Sequence, residues 1–99
     1  MKATKKYSAE FIFENNKETI KTIYTNKYIS MYLLSIGKTR SVLCYDDLDK
    51  WFYSIIKNYK SENFPSEDFS KQDEKENLIA LKDCAVRYRD GYRVSVNIY

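Results

Sequence analysis

With 99 residues, 43% of them hydrophobic and 31% charged, the chain has room for one domain with one modest core, and its composition excludes a disordered polymer. It holds no histidine and two cysteines, Cys44 and Cys84, which excludes Ser-His or Cys-His catalysis, His-bound metals and a disulfide framework. The net charge of +3 is too small to argue for nucleic acid by itself, and no apolar run is long enough to span a bilayer.

Turn signals stand at even spacing early in the chain, at Asn15-Asn16, Asn26-Lys27 and Gly37-Lys38. The segment "YSAEFIF" alternates, with Tyr7, Ala9, Phe11 and Phe13 on one face. "ETIKTIYT" places Ile20, Thr22 and Tyr24 on one side. "YISMYLLSI" is apolar on both sides, as a central covered strand would be; Tyr28, Ile29, Tyr32, Leu33 and Ile36 also fit a helical stripe ending at Gly37. The even turn spacing favours the strand. With "RSVLCY" this makes a four-stranded antiparallel meander over residues 5–45.

Helices are expected next. "YDDLDKWFYSIIKNYK" carries Leu48, Trp51, Phe52, Ile55, Ile56 and Tyr59 on one broad face, with Asp46 as N-cap and Asp49 at the capping-box position. A polar loop, "SENFPSEDFS", follows. Then "SKQDEKENLIALKDCAVRYRDG" has Ser70 as cap, Asp73 at the box position, arginines late and Gly91 after the end, with Leu78, Leu81, Ala85 and Tyr88 on one face. "YRVSVNIY" alternates as a strand with Val94, Val96 and Ile98 inward. For residues 84–89 two readings stand, a helix end stopped at Asp90-Gly91 or one arm of a tight hairpin, and the first is favoured. The expected fold is a single α+β domain over residues 1–99: an antiparallel sheet, N-terminal meander plus C-terminal strand, with two helices on one face.

Charge is segregated. Residues 1–60 hold eleven Lys/Arg against six Asp/Glu, residues 61–83 three against seven, and residues 84–99 three against one. The acidic segment (Glu67, Asp68, Asp73, Glu74, Glu76) is either a solvated face or a patch offered to a basic partner, such as the channel of a nucleic-acid enzyme. The Arg/Tyr end (Arg87, Arg89, Tyr92, Arg93) could hold phosphates and stack on bases. In a tight hairpin, however, its arginines divide between the two faces, and at a helix end Arg87 and Arg89 serve the last turn.

No cofactor or metal is expected. "SIGKTRS" lacks the upstream glycine of a phosphate loop and reads as a turn. Asp46, Asp47 and Asp49 could hold magnesium, but helix capping accounts for them. Both cysteines read as buried thiols in a reducing compartment. "MKATKKYSAEFIF" alternates and does not resemble a signal peptide, which suggests the cytoplasm of a bacterial cell. Lys, Asn, Ile, Tyr and Phe make up 44 of the 99 residues; their A/T-rich codons point to an AT-rich genome, such as a low-GC bacterium or its phages and plasmids.

The stretch "SIGKTRSVLCYDDLDKWF" resembles the wing-and-helix end of excisionase-type winged-helix proteins through Ile36, Gly37, Lys38, Asp47, Leu48, Asp49 and Trp51. The resemblance implies a basic hairpin whose Lys38 and Arg40 touch DNA. It covers about 18 residues, and residues 7–35 depart from the pattern, since they alternate as strands where two groove-reading helices would stand. The favoured function is instead a small non-enzymatic binding protein, encoded by a phage or mobile element, that inhibits or modulates a host protein handling nucleic acid. Anti-CRISPR proteins are one group of that style. Its contact residues would come from the acidic segment or the Arg/Tyr end. The alternative is a small DNA-binding regulator using Lys38 and Arg40 on a basic hairpin.

Overall fold

The computed structural model describes residues 7–57 and 69–99. The chain runs β1 (Ala9–Glu14), β2 (Thr19–Tyr24), α1 (Lys27–Ser35), β3 (Arg40–Val42), α2 (Tyr45–Ile56), α3 (Lys71–Arg89) and β4 (Arg93–Ile98). This is an α+β fold with one antiparallel sheet in the order β2-β1-β4-β3. Among the described residues the helices number three, one more than the sequence suggested.

The β1–β2 hairpin forms as its alternation demands. Asn15 closes it, its side-chain oxygen accepting from the backbone N–H groups of Lys17 and Glu18, each at 2.9 Å. Register sets Phe11 between Thr22 and Val96, and Phe13 between Ile20 and Val94. Ala9, Phe11, Phe13, Val94 and Val96 are buried on this one face. Glu10, Ile12 and Glu14 point the other way, beside Lys21, Ile23, Arg93 and Ser95.

Residues 28–36 correct the expected meander, because Lys27–Ser35 is helical. Asn26 is both a turn former and a strong N-cap, and here it caps: its side-chain oxygen accepts from Tyr28 N–H at 2.9 Å and Ile29 N–H at 3.4 Å. Gly37, at φ 77°, ends the helix. Its N–H donates to Leu34, and that of Lys38 donates to Leu33, a closed C-terminal turn that only a left-handed residue permits. The segment reads apolar on both sides because Tyr28, Ile29, Tyr32 and Leu33 are all buried.

"RSVLCY" contributes three strand residues; Leu43 then buries itself and donates its N–H to Val94. The cap of α2 falls two residues earlier than expected, on Cys44, with Asp47 and not Asp49 closing the box. The α3 box of Ser70 and Asp73 forms as expected. Gly91, at φ 92°, stops α3: its N–H donates to Tyr88, and the next N–H donates to Arg87. Residues 84–89 are therefore helix.

Trp51 centres the core. Its ring stacks between Phe11 of the sheet, centroids 5.9 Å apart, and Tyr32 of α1, 6.1 Å apart. Its indole N–H donates to the buried Asn77 side-chain oxygen at 2.9 Å, and Asn77 in turn donates to the Asp73 carbonyl at 2.8 Å. One residue thus ties sheet, α1, α2 and α3 together.

Candidate functional site

The acidic segment does not face solvent as one patch. Glu67 and Asp68 lie outside the described residues. Asp73 closes the α3 capping box. Glu76 accepts from the Asn26 side-chain nitrogen at 2.8 Å, and Asp73 accepts from the same nitrogen at 3.3 Å. Hydrogen bonds from Asn26 and then Gln72 hold the Glu76 carboxyl below its ordinary range. Both carboxylates are engaged within the fold, joining α3 to the cap of α1. Glu74 is half-buried in the first turn of α3.

The arginines are equally divided. Arg87 lies over the rings of Tyr92 and Phe13, 5.2 and 5.7 Å from their centroids, and pairs with Asp83 at 3.7 Å. Arg89 neighbours Asp90 at 3.5 Å. The Tyr92 hydroxyl donates to Glu18 on the first hairpin. Arg93 stands on the far face of the sheet opposite Glu14, lining an open polar groove of about 440 Å³ with Asn15, Asn16 and Gly91.

Lys38 and Arg40 do not tip a hairpin, because Gly37 ends a helix. Lys38 pairs at 3.4 Å with the nearly buried Asp47. Burial pushes that carboxyl up, but the Cys44 N–H and thiol and the Lys38 ammonium outweigh it and hold Asp47 below the usual carboxylate range. Arg40 is exposed on β3, opposite Asn97. Asp46 pairs with Lys50, so the Asp46, Asp47 and Asp49 carboxylates do not converge. Among the described residues there is no group of three or more His, Cys, Asp or Glu that could hold a metal ion. Cys84 is buried, and burial raises its thiol pKa; Cys44, expected inside, is exposed.

Two residues expected on the core face of α2, Phe52 and Ile56, are exposed. In α2, Leu48, Trp51 and Ile55 are buried. Tyr45, Phe52, Tyr53 and Ile56 remain 49%, 48%, 62% and 57% exposed. An apolar face only about 100° wide can turn inward from a helix, so the broad face expected for α2 exceeded what one core contact covers. At about 3.6 residues per turn, Tyr45, Phe52 and Ile56 fall within roughly 40° of one another. Their flank is the one toward α3, since the Tyr45 ring meets that of Tyr88 at 4.3 Å.

Across that seam α3 also turns differently from expectation. It buries Asn77, Ala80, Leu81 and Cys84, and leaves Leu78 37% exposed. Lys71, Lys75 and Lys82 share the flank of Leu78 within roughly 60°, and the half-buried Glu74, one turn before Leu78, lies beside them. All three are exposed, and none is in an ion pair with a described residue. Their i, i+4, i+11 spacing was readable in the sequence, but the overall acidity of residues 61–83 hid it.

No family model, no curated protein and no solved structure matches this chain. Among the described residues, no helix is long and apolar enough to cross a membrane.

Proposed function

We propose that this chain is a non-enzymatic binding protein that acts by occupying a surface of another protein, an inhibitor or modulator of a host factor, encoded by a phage or mobile element. One observation carries the reading. Tyr45, Phe52 and Ile56 keep about half of their surface in water on one flank of α2, although the core beside them could have taken shorter or polar residues there. Large apolar groups held in water on a helix cost solubility and are recurrent anchors of protein interfaces. Tyr53, with Lys57 over its ring at 5.5 Å, extends the same surface.

A host factor that handles nucleic acid is expected if the acidic segment is a patch offered to a basic partner surface. Asp73 and Glu76 are engaged by Asn26, so that idea now draws on the AT-rich, mobile-element character of the composition alone. The DNA-regulator reading loses its hairpin and the free charge of Lys38.

Affinity capture from a low-GC bacterial lysate tests the proposal, comparing the chain with a Phe52→Ala/Ile56→Ala variant whose fold is checked by circular dichroism. The expected outcome is a discrete protein retained by the parent chain and lost with the variant. Identical retention by both sinks the reading.

A further inference from the structure

We propose that two copies of this chain pair antiparallel through the outer edge of β2, about a two-fold axis at Thr22, so that their sheets join into one. The inference goes beyond the binding reading above and does not use the exposed flank of α2. In the sheet order β2-β1-β4-β3, β2 and β3 are the edges. β3 has three residues and β2 has six. The Asn15 N–H donates to the Glu18 carbonyl, and that bond fixes the phase of the β1–β2 ladder, in which facing residues exchange hydrogen bonds at every second position. Ile20, Thr22 and Tyr24 therefore turn their N–H and C=O groups toward Phe13, Phe11 and Ala9. Thr19, Lys21 and Ile23 turn theirs outward, where no described strand pairs with them.

Little on this edge prevents pairing. Its register with β1 runs unbroken from Thr19 to Tyr24, without a bulge or a proline, and Lys21 is its only charge. Edges of this kind are usually shortened, bulged or covered. On the helical side Ile20, Thr22 and Tyr24 are only half-buried, so the helical layer stops short of covering them.

The sequence of the edge selects a second copy. Outward groups must face outward groups, so the axis of a self-pairing falls on a residue, and pairing extends furthest with that residue at Lys21 or Thr22. An axis at Lys21 sets two ammonium groups opposite each other, which is unfavourable. An axis at Thr22 lays "TIKTIYT", residues 19–25, against its own reverse. Thr22 then meets Thr22, Ile20 meets Tyr24, Lys21 meets Ile23 and Thr19 meets Thr25. The first two pairings fall where facing side chains are closest, and threonine pairs and aromatic–β-branched pairs are favourable there. On the open face the Lys21 stem covers Ile23, which is 60% exposed in the single chain. The two Lys21 side chains stand diagonal to each other, and each lies within electrostatic reach of Glu10 of its own chain. Beyond Thr19 and Thr25 the chain enters the hairpin turn on one side and α1 on the other. An edge that receives a foreign strand has no need of this symmetry.

A single strand pair is smaller than a standard interface of about 1,600 Å², so the dimer is expected to form with rising concentration. Sedimentation velocity on the purified full chain, from about 1 μM to about 1 mM, should show monomer giving way to dimer. Amide exchange followed by nuclear magnetic resonance should slow about tenfold at Lys21 and Ile23 over the same rise, while Ile20, Thr22 and Tyr24 are protected throughout. Ile23→Pro removes an outward N–H at an edge position that tolerates proline, and should give a monomer with the parent's circular dichroism. Thr22→Cys in a Cys44→Ser background should form a disulfide-linked dimer on mild oxidation, and Thr19→Cys should not. A chain monomeric throughout overturns the pairing. So does a dimer that survives Ile23→Pro, one that is lost with Phe52→Ala/Ile56→Ala, or equal cross-linking of the two cysteine variants. If Ile23→Pro unfolds, amide exchange decides: slowing at Lys21 and Ile23 supports the pairing, and constant exchange overturns it. Slowing only when a foreign protein is added to a monomeric chain assigns the edge to a foreign strand and overturns the second copy.

Discussion

Ser30 is fully buried in α1, and its hydroxyl has no hydrogen-bond partner. A buried hydroxyl without a partner costs its desolvation, about 1–3 kcal/mol, while alanine is the better helix former and nearly the same size. Ser30→Ala is therefore expected to stabilise the chain by about 1 kcal/mol, read as a higher urea midpoint at unchanged slope. A lower midpoint would show that the hydroxyl has a partner after all. Trp51 offers the contrast. Its indole N–H is satisfied by Asn77, and Asn77 by the Asp73 carbonyl, so this polar chain strengthens the core where the Ser30 hydroxyl weakens it.

Asn26 joins two elements. Its oxygen caps α1, and its amide nitrogen holds Asp73 and Glu76 of α3. Asn26→Ala removes both contacts and is expected to cost about 2 kcal/mol in urea denaturation at pH 7. Asn26→Asp keeps the cap but sets a third carboxylate against two. The repulsion is present at pH 7 and fades on acidification as one of the three clustered carboxylates takes up a proton, so Asn26→Asp should regain ground on the parent near pH 5 while Asn26→Ala does not. If the two variants keep the same gap from the parent at both pH values, the nitrogen does not hold the acids. The same residue explains where sequence reading stopped. β1, β2, β4 and the start of α3 were legible because alternation and a Ser-x-x-Asp box each favour one structure, whereas the Asp90-Gly91 pair suited a helix stop and a hairpin alike. Residues 28–36 were not, because their apolar residues fit a strand covered on both faces as well as a helical stripe, and Asn26 serves a turn or a cap equally well until Glu76 arrives from fifty residues away. The candidate surface was hidden for a related reason. Phe52 and Ile56 look like core to any count of apolar positions, and only the packing of Trp51 between Phe11 and Tyr32 shows that the core was already full.

At the scale of the whole molecule, β4 decides whether there is a fold at all. It lies between β1 and β3, pairing Val96 with both Phe11 and Ser41, so the sheet joins residues some eighty positions apart. The β1–β2 hairpin alone is marginal, and β3 has three residues with no other neighbour. Removing residues 92–99 takes away the buried Val94 and Val96, each about 2 kcal/mol of burial, uncovers Phe11 and Phe13, and frees two ladders of backbone hydrogen bonds. That loss is comparable to the whole stability of a small domain, about 5–15 kcal/mol. The shortened chain is expected to lose its cooperative thermal transition, and Trp51 its near-ultraviolet dichroism, since the Phe11 side of its stack depends on the sheet. A cooperative melt with Trp51 still ordered would instead mean that the helical layer holds itself together. The exposed flank of α2 would then be carried by α1, α2, α3 and the first hairpin, with the sheet as backing and not as the frame on which α2 and α3 are aligned.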